Sequence, residues 1–239
     1  MPEVDLSIDF YGNGPVIDQV EKKMAEVLGK EQALFVHKGS VGQYSALLHW
    51  SELTGNKKIA IHPQSHMQVD ESLAYQKLLH LDAYMFGEKE AAITNADVNK
   101  LPDDLSAICI ELPTRRAGFA LPKWQTLLSA KQFSSTHGIP IHFDGARLLE
   151  SADYWGKTYA QVAALADSVY VSLYKTLGAA AGGIIAGDDN LIEQLKPWRS
   201  RLAGDIYTVF PYALTALWGI EHYLPRISEF NQRAISLSR

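Results

Sequence analysis

Lys175 stands alone among apolar and small residues. It follows Val169-Tyr170-Val171-Ser172-Leu173-Tyr174 and precedes Thr176-Leu177-Gly178-Ala179. The β-branched and aromatic run predicts a strand, with the lysine at its end. A lysine placed there is partly desolvated, so its pKa falls and the neutral amine can attack an aldehyde. Asp144-Gly145-Ala146-Arg147 stands about one helix-and-strand unit upstream, also after an apolar run. A carboxylate at that position suits a protonated ring nitrogen. A planar guanidinium suits a carboxylate or a phenolic oxygen. Amine, acid and guanidinium together are what an aldehyde cofactor with a ring nitrogen needs, which points to pyridoxal 5'-phosphate. Singly, each residue also fits a plain structural reading: a surface lysine, a turn aspartate, and an Arg147–Glu150 ion pair.

A phosphate would need its own cradle. Gly39, Ser40 and Val41 form a predicted strand-to-helix turn, where backbone N–H groups and the Ser40 hydroxyl suit an anion. His66 is a candidate to stack on a pyridine face or relay a proton, and His62 competes for that role. His142 precedes Asp144 by two and shares its face in a strand, where packing is the simpler role. One of Arg115 and Arg116 is expected to face the site and the other solvent. Trp198, Arg199 and Arg201 read as the amphipathic end of a helix. The scattered histidines show no metal-ligand spacing, and no metal is expected. There is no phosphate-binding Walker loop and no Gly-x-Ser-x-Gly elbow.

These residues must be held by a scaffold. Short apolar runs near residues 33–37, 58–62, 107–111, 139–143, 169–173 and 183–186 alternate with helical patterns at 16–28, 40–50, 71–79, 122–136 and 159–165. Alternation of this kind predicts an α/β fold, with a mostly parallel sheet covered on both faces. Sites in such sheets gather at the carboxyl ends of the strands. Helical patterns return at 190–198 and 211–223, after which the chain turns polar and reaches Arg239 in mid-pattern. Residues 1–206 are expected to form a large domain. Residues 207–239 are expected to form a linker helix and the start of a truncated second domain.

The 239 residues are 47% hydrophobic and 21% charged, ordinary values for a globular chain. A net charge of -5 argues against nucleic acid as a partner. No apolar run approaches the ~20 residues of a membrane span. The acidic start, Met1-Pro2-Glu3-Val4-Asp5, is unlike a signal peptide. The single cysteine, Cys109, rules out an internal disulfide and is expected to be buried and inert, so a cytoplasmic location is the default.

Several segments resemble the L-threonine aldolase and β-eliminating lyase family. They are Val27-Leu28-Gly29-Lys30-Glu31 with Ala33-Leu34-Phe35, Lys38-Gly39-Ser40-Val41-Gly42-Gln43, His66, Ile141-His142-Phe143-Asp144-Gly145-Ala146-Arg147, and Ala166-Asp167-Ser168-Val169 through Lys175-Thr176-Leu177-Gly178-Ala179. The resemblance implies the three-layer large domain of pyridoxal-phosphate enzymes of fold type I. It implies that Lys175 carries the cofactor as a Schiff base and that Asp144 pairs with the ring nitrogen. It further implies that His66 stacks on the ring and that Gly39, Ser40 and Val41 bind phosphate. Arg147 would bind the substrate carboxylate. The implied reaction cleaves a β-hydroxy-α-amino acid to glycine and an aldehyde, in a homo-oligomer (dimer or tetramer). Alternatives are β-elimination on a related amino acid and an inactive fragment lacking the small domain. The family's Glu-Asn-Thr-His stretch is here Glu111-Leu112-Pro113-Thr114, and Tyr174 stands where serine is common. Both departures mark a divergent branch.

Overall fold

The computed structural model describes residues 8–238. The acidic start at residues 1–5 and Arg239 lie outside the described residues. The chain opens with helix α1 (Pro15–Leu28), strand β1 (Gln32–Val36), α2 (Gly39–Thr54) and β2 (Lys58–Ile61). Two single-turn helices, α3 (His66–Val69) and α4 (Ala74–Lys77), lead to β3 (Asp82–Met85), the short α5 (Asn95–Val98) and β4 (Ala107–Glu111). Then come α6 (Trp124–His137), β5 (Ile141–Asp144), α7 (Leu148–Trp155), α8 (Tyr159–Ala163), β6 (Ser168–Ser172) and β7 (Gly183–Gly187). The chain closes with α9 (Asp189–Arg201), α10 (Phe210–His222) and α11 (Ile227–Leu237).

The strands form one sheet in the order β1-β7-β6-β5-β4-β2-β3. Only β7 runs against its neighbours, pairing antiparallel with both β1 and β6. The other pairs are parallel. Six strands therefore bring their carboxyl ends to one edge, where loops can build a site.

Alternate strand residues feed two separate cores, as the period of two requires. Ile141 and Phe143 of β5, with Val169 and Val171 of β6, pack against α1, α6, α7, α8 and α10. Cys109 of β4 and Tyr170 of β6 turn to the other face, under α2, α4 and α9. Burial raises the Cys109 thiol above its ordinary range, in keeping with an inert residue. Strands buried on both faces read as continuous apolar runs, which is why they were visible in the sequence. Helix α1 shows the complementary pattern: Val16, Val20 and Met24 form its buried stripe, and Pro15 opens its first turn.

Four expectations change. The helix predicted over 71–79 shrinks to α4, because Ser72 and Leu73 adopt left-handed backbone (φ 53° and 56°) that breaks it. β3 was not predicted; it is an edge strand with both its end residues exposed. Helices α7 and α11 were also unforeseen. Pro140 stays outside β5, where its carbonyl accepts the Ile108 N–H at 2.9 Å, so it costs the ladder no donor.

Candidate active site

A cleft of about 630 Å3 opens at the carboxyl edge of the sheet. Its lining includes Gly39, Ser40, Val41, His66, Asp144, Arg147 and Lys175, which the strand ends thus bring together, while the competing His62 lies outside it. Its floor is a row set by strand register. Glu111 of β4 lies opposite Asp144 of β5, and Asp144 lies opposite Tyr170 of β6. All three turn toward the α2 side.

Asp144 is 3% exposed and accepts the Ala146 N–H at 3.2 Å. Burial pushes its pKa up, while the positive charges of Lys175 and His66 pull it down. Lys175 sits three residues past β6 in a loop closed by the Leu173 N–H to Gly182 and the Ala179 N–H to Leu173, each 3.1 Å. Thr176 is tied to Glu150 of α7, which pins the loop beside the lysine. Burial, then the nearby Arg147 guanidinium, lowers the Lys175 pKa. That shift favours the neutral, nucleophilic amine.

Arg147 precedes α7, and its guanidinium lies 5.4 Å from the Phe119 ring. Among the described residues neither Arg147 nor Lys175 forms a salt bridge, so the Arg147–Glu150 alternative does not hold.

His66 opens α3. Its Nδ1 lies 2.7 Å from Glu71 Oε1, and its backbone N–H donates to Glu111 Oε2 at 2.9 Å. Tyr44 of α2 donates to the other Glu71 oxygen. The Glu71 hydrogen bond raises the His66 pKa against the opposing effect of burial. Its side chain remains 43% exposed to the cleft. The competing His62 is committed elsewhere. Its Nε2 lies 2.9 Å from the Glu88 carbonyl and 3.0 Å from that of Ala91, while its Nδ1 accepts the Gln64 N–H. His142 is fully buried with Nδ1 2.8 Å from Ser168 Oγ, in a packing position below Asp144.

Arg115 lines the cleft and Arg116 is half exposed, and both grip Asp70. Arg199 is structural: it is 8% exposed and bonds Asp205, the Phe35 carbonyl and the Tyr11 carbonyl. Sequence reasoning gave no role to Glu71, Asp70, Tyr44 or Tyr170. Glu71 follows His66 by five, across a chain reversal that no helical period announces. Tyr170 was legible only as a strand former; the signal lay in its alternation with Ser172 on the Asp144 side. Glu111 is raised to about 7 by burial and then by the Asp144 charge, while the Arg115 and His66 N–H groups oppose the shift.

The phosphate cradle also fits. Gly39, Ser40 and Val41 form the first turn of α2, which has no side-chain cap and no acidic residue there. The Val41 N–H donates to the Lys38 carbonyl at 3.1 Å, which leaves the Gly39 and Ser40 N–H groups, at the positive dipole end of the helix, for an anion in the cleft they line. A Cβ at Gly39 would lie 2.5 Å from the Tyr170 hydroxyl, which is buried and without a partner. Amine, buried acid, guanidinium and anion cradle thus converge on one cleft, as pyridoxal phosphate requires. Sheet and cleft have the architecture of the large domain of pyridoxal-phosphate proteins of fold type I.

Comparison with known proteins narrows this class. The profile of the beta-eliminating lyases matches residues 3–239. The chain belongs to that family, whose members depend on pyridoxal phosphate. It is 26% identical over 244 residues to low-specificity L-threonine aldolase 1 of Arabidopsis thaliana, covering 98% of this chain and 68% of the relative. A putative L-allo-threonine aldolase from Listeria monocytogenes superposes with a TM-score of 0.91 at 35% identity. A putative aromatic amino acid beta-eliminating lyase/threonine aldolase from an Exiguobacterium species gives 0.87 at 34%. These alignments cover 96% and 95% of this chain but 64% and 62% of the solved chains, so it spans less than two thirds of either. No helix among the described residues is long and apolar enough to cross a membrane.

Proposed function

We propose that the chain is a carbon–carbon lyase that cleaves a threonine-like β-hydroxy-α-amino acid to glycine and an aldehyde. The observation that carries this reading is the convergence of Lys175, Asp144, His66 and Arg147 on one cleft. The likeness to the Listeria protein supports the substrate class.

Lys175 supplies the amine that holds the cofactor, and burial, then the Arg147 charge, lowers its pKa in the direction that favours the neutral amine. Asp144 holds the proton on the ring nitrogen; burial excludes water that would compete for it. Gly39 and Ser40 anchor the phosphate, and Val41, whose N–H closes the turn onto the Lys38 carbonyl, holds them in place. Arg147, free of an ion-pair partner, offers its fork to the substrate carboxylate. The chemistry the bound cofactor supplies is an electron sink for the bond that breaks at the substrate α-carbon. His66 has Nδ1 engaged by Glu71, which leaves Nε2 to move the proton of the β-hydroxyl. Glu111 keeps His66 in place through the His66 backbone N–H.

The same reading assigns residues 1–206 to the cofactor-binding domain and 207–239 to a linker into a second domain. It takes the working form as a cytoplasmic homo-oligomer. Incubation with cofactor and L-threonine or L-allo-threonine is predicted to release glycine. Bound cofactor without glycine from any β-hydroxy amino acid would contradict the reading. The likeness to the Exiguobacterium protein favours a second one, β-elimination, whose signature would be 2-oxobutyrate and ammonia from the same assay.

A further inference from the structure

Tyr170 lies in the middle of β6, five residues before Lys175, and is 2% exposed. Its hydroxyl has no hydrogen-bond partner. A buried hydroxyl left unpaired is unfavourable, so the fold holds this group at a loss. Its ring is wedged between two glycines. A Cβ on Gly39 would lie 2.5 Å from the hydroxyl oxygen; one on Gly183 would lie 2.5 Å from ring carbon Cε2 and 2.7 Å from the oxygen. Both positions admit the phenol only because they carry no side chain.

Gly39 is the first residue of α2, a helix of 16 residues with no side-chain cap. The phenol is therefore aimed at the positive end of an uncapped helix. Ser172 follows two residues later on the same face of β6, and its Oγ is likewise buried and unpartnered. Ser172 and Tyr174 lie close enough to affect the phenol, yet neither completes a hydrogen bond with it. Burial pushes the phenol pKa upward, so it remains a neutral donor at any working pH. An uncapped helix start with a neutral, unpaired O–H beside its first residue suits an anion.

Resting on the cofactor reading above, we propose that the Tyr170 hydroxyl donates to the cofactor's phosphate and selects the phosphorylated aldehyde over the unphosphorylated one. The helix start supplies the general attraction for an anion. Tyr170 adds a donor from the sheet side that an unphosphorylated ligand leaves unused.

The test compares the full chain with Tyr170→Phe, titrating each with pyridoxal phosphate and with pyridoxal by absorbance. In the variant the dissociation constant for pyridoxal phosphate should rise about tenfold, while that for pyridoxal stays within about twofold. The 31P resonance of bound cofactor should move between the two proteins. The apoprotein of the variant should melt no lower than the parent, because only an unpaired hydroxyl has been removed. Equal weakening of both ligands, unchanged affinity for pyridoxal phosphate, or an unmoved 31P resonance would each overturn the assignment. If the parent bound neither ligand, the cofactor reading itself would fail. If it bound both equally, only the selection by Tyr170 would.

Discussion

Two clefts of nearly equal volume lie at opposite edges of the sheet, about 630 Å3 at the carboxyl edge and about 620 Å3 at the amino edge. Both contain charged residues. They differ in what those charges already do. At the amino edge Asp167 accepts the Ile141 N–H at 2.8 Å and faces Lys131 at 3.2 Å. Asp188 caps α9 through the Leu191 N–H at 2.7 Å. Each carboxylate completes a strand start or a helix start. At the carboxyl edge the commitments stop short of the centre. Asp70, Glu71 and Glu111 hold neighbouring loops, but Lys175 and Arg147 carry no ion pair and Tyr170 and Ser172 carry no hydrogen bond. Volume does not separate the two sites. Uncommitted polar groups do, and a fold accepts their cost where they serve binding.

Substitutions at the two edges should therefore fail in opposite ways. The largest effect is expected for Lys175→Ala: complete loss of covalently held cofactor with an intact fold, read by absorbance and circular dichroism. Asp144→Ala should lower the lyase rate on the order of a hundredfold or more, as for loss of a preorganised electrostatic group, and leave the apoprotein at least as stable. A lower melting point with full activity would reverse the comparison. At the other edge, Asp167→Ala strands the Ile141 N–H and should cost about 1–3 kcal/mol in denaturant unfolding. Cofactor affinity should not change.

The smallest effect concerns pH. Glu111 is raised from 4.5 to about 7 in the folded chain. Between those values the folded form keeps a proton that the unfolded form releases. Apoprotein stability contributed by this group is therefore full at the acid end and falls as pH rises through that window. Glu111→Gln should flatten this slope, by a few degrees of melting temperature. A slope unchanged in the variant would assign it to Glu21, which burial also raises to about 7.

What was legible in the sequence followed from burial and period. Val169, Val171, Ile108 and Ile110 advertise strands because both sheet faces are covered, and strand ends then locate Asp144 and Lys175. β3 was invisible because an edge strand with exposed ends, Asp82 and Met85, lacks that apolar run. Residues 71–79 misled because spacing records side-chain periodicity and is blind to the left-handed backbone at Ser72 and Leu73. The partners in the cleft depend on register and on chain reversals. Nothing local in Tyr170 says that it lies opposite Asp144, and nothing in Glu71 says that it meets both His66 and Tyr44.

The most direct test of the account is borohydride reduction of the protein with bound pyridoxal phosphate, followed by peptide mass mapping. The account predicts one reduced adduct per chain, on Lys175. No adduct, or one spread over surface lysines such as Lys38 and Lys58 with Lys175 unmodified, would contradict it.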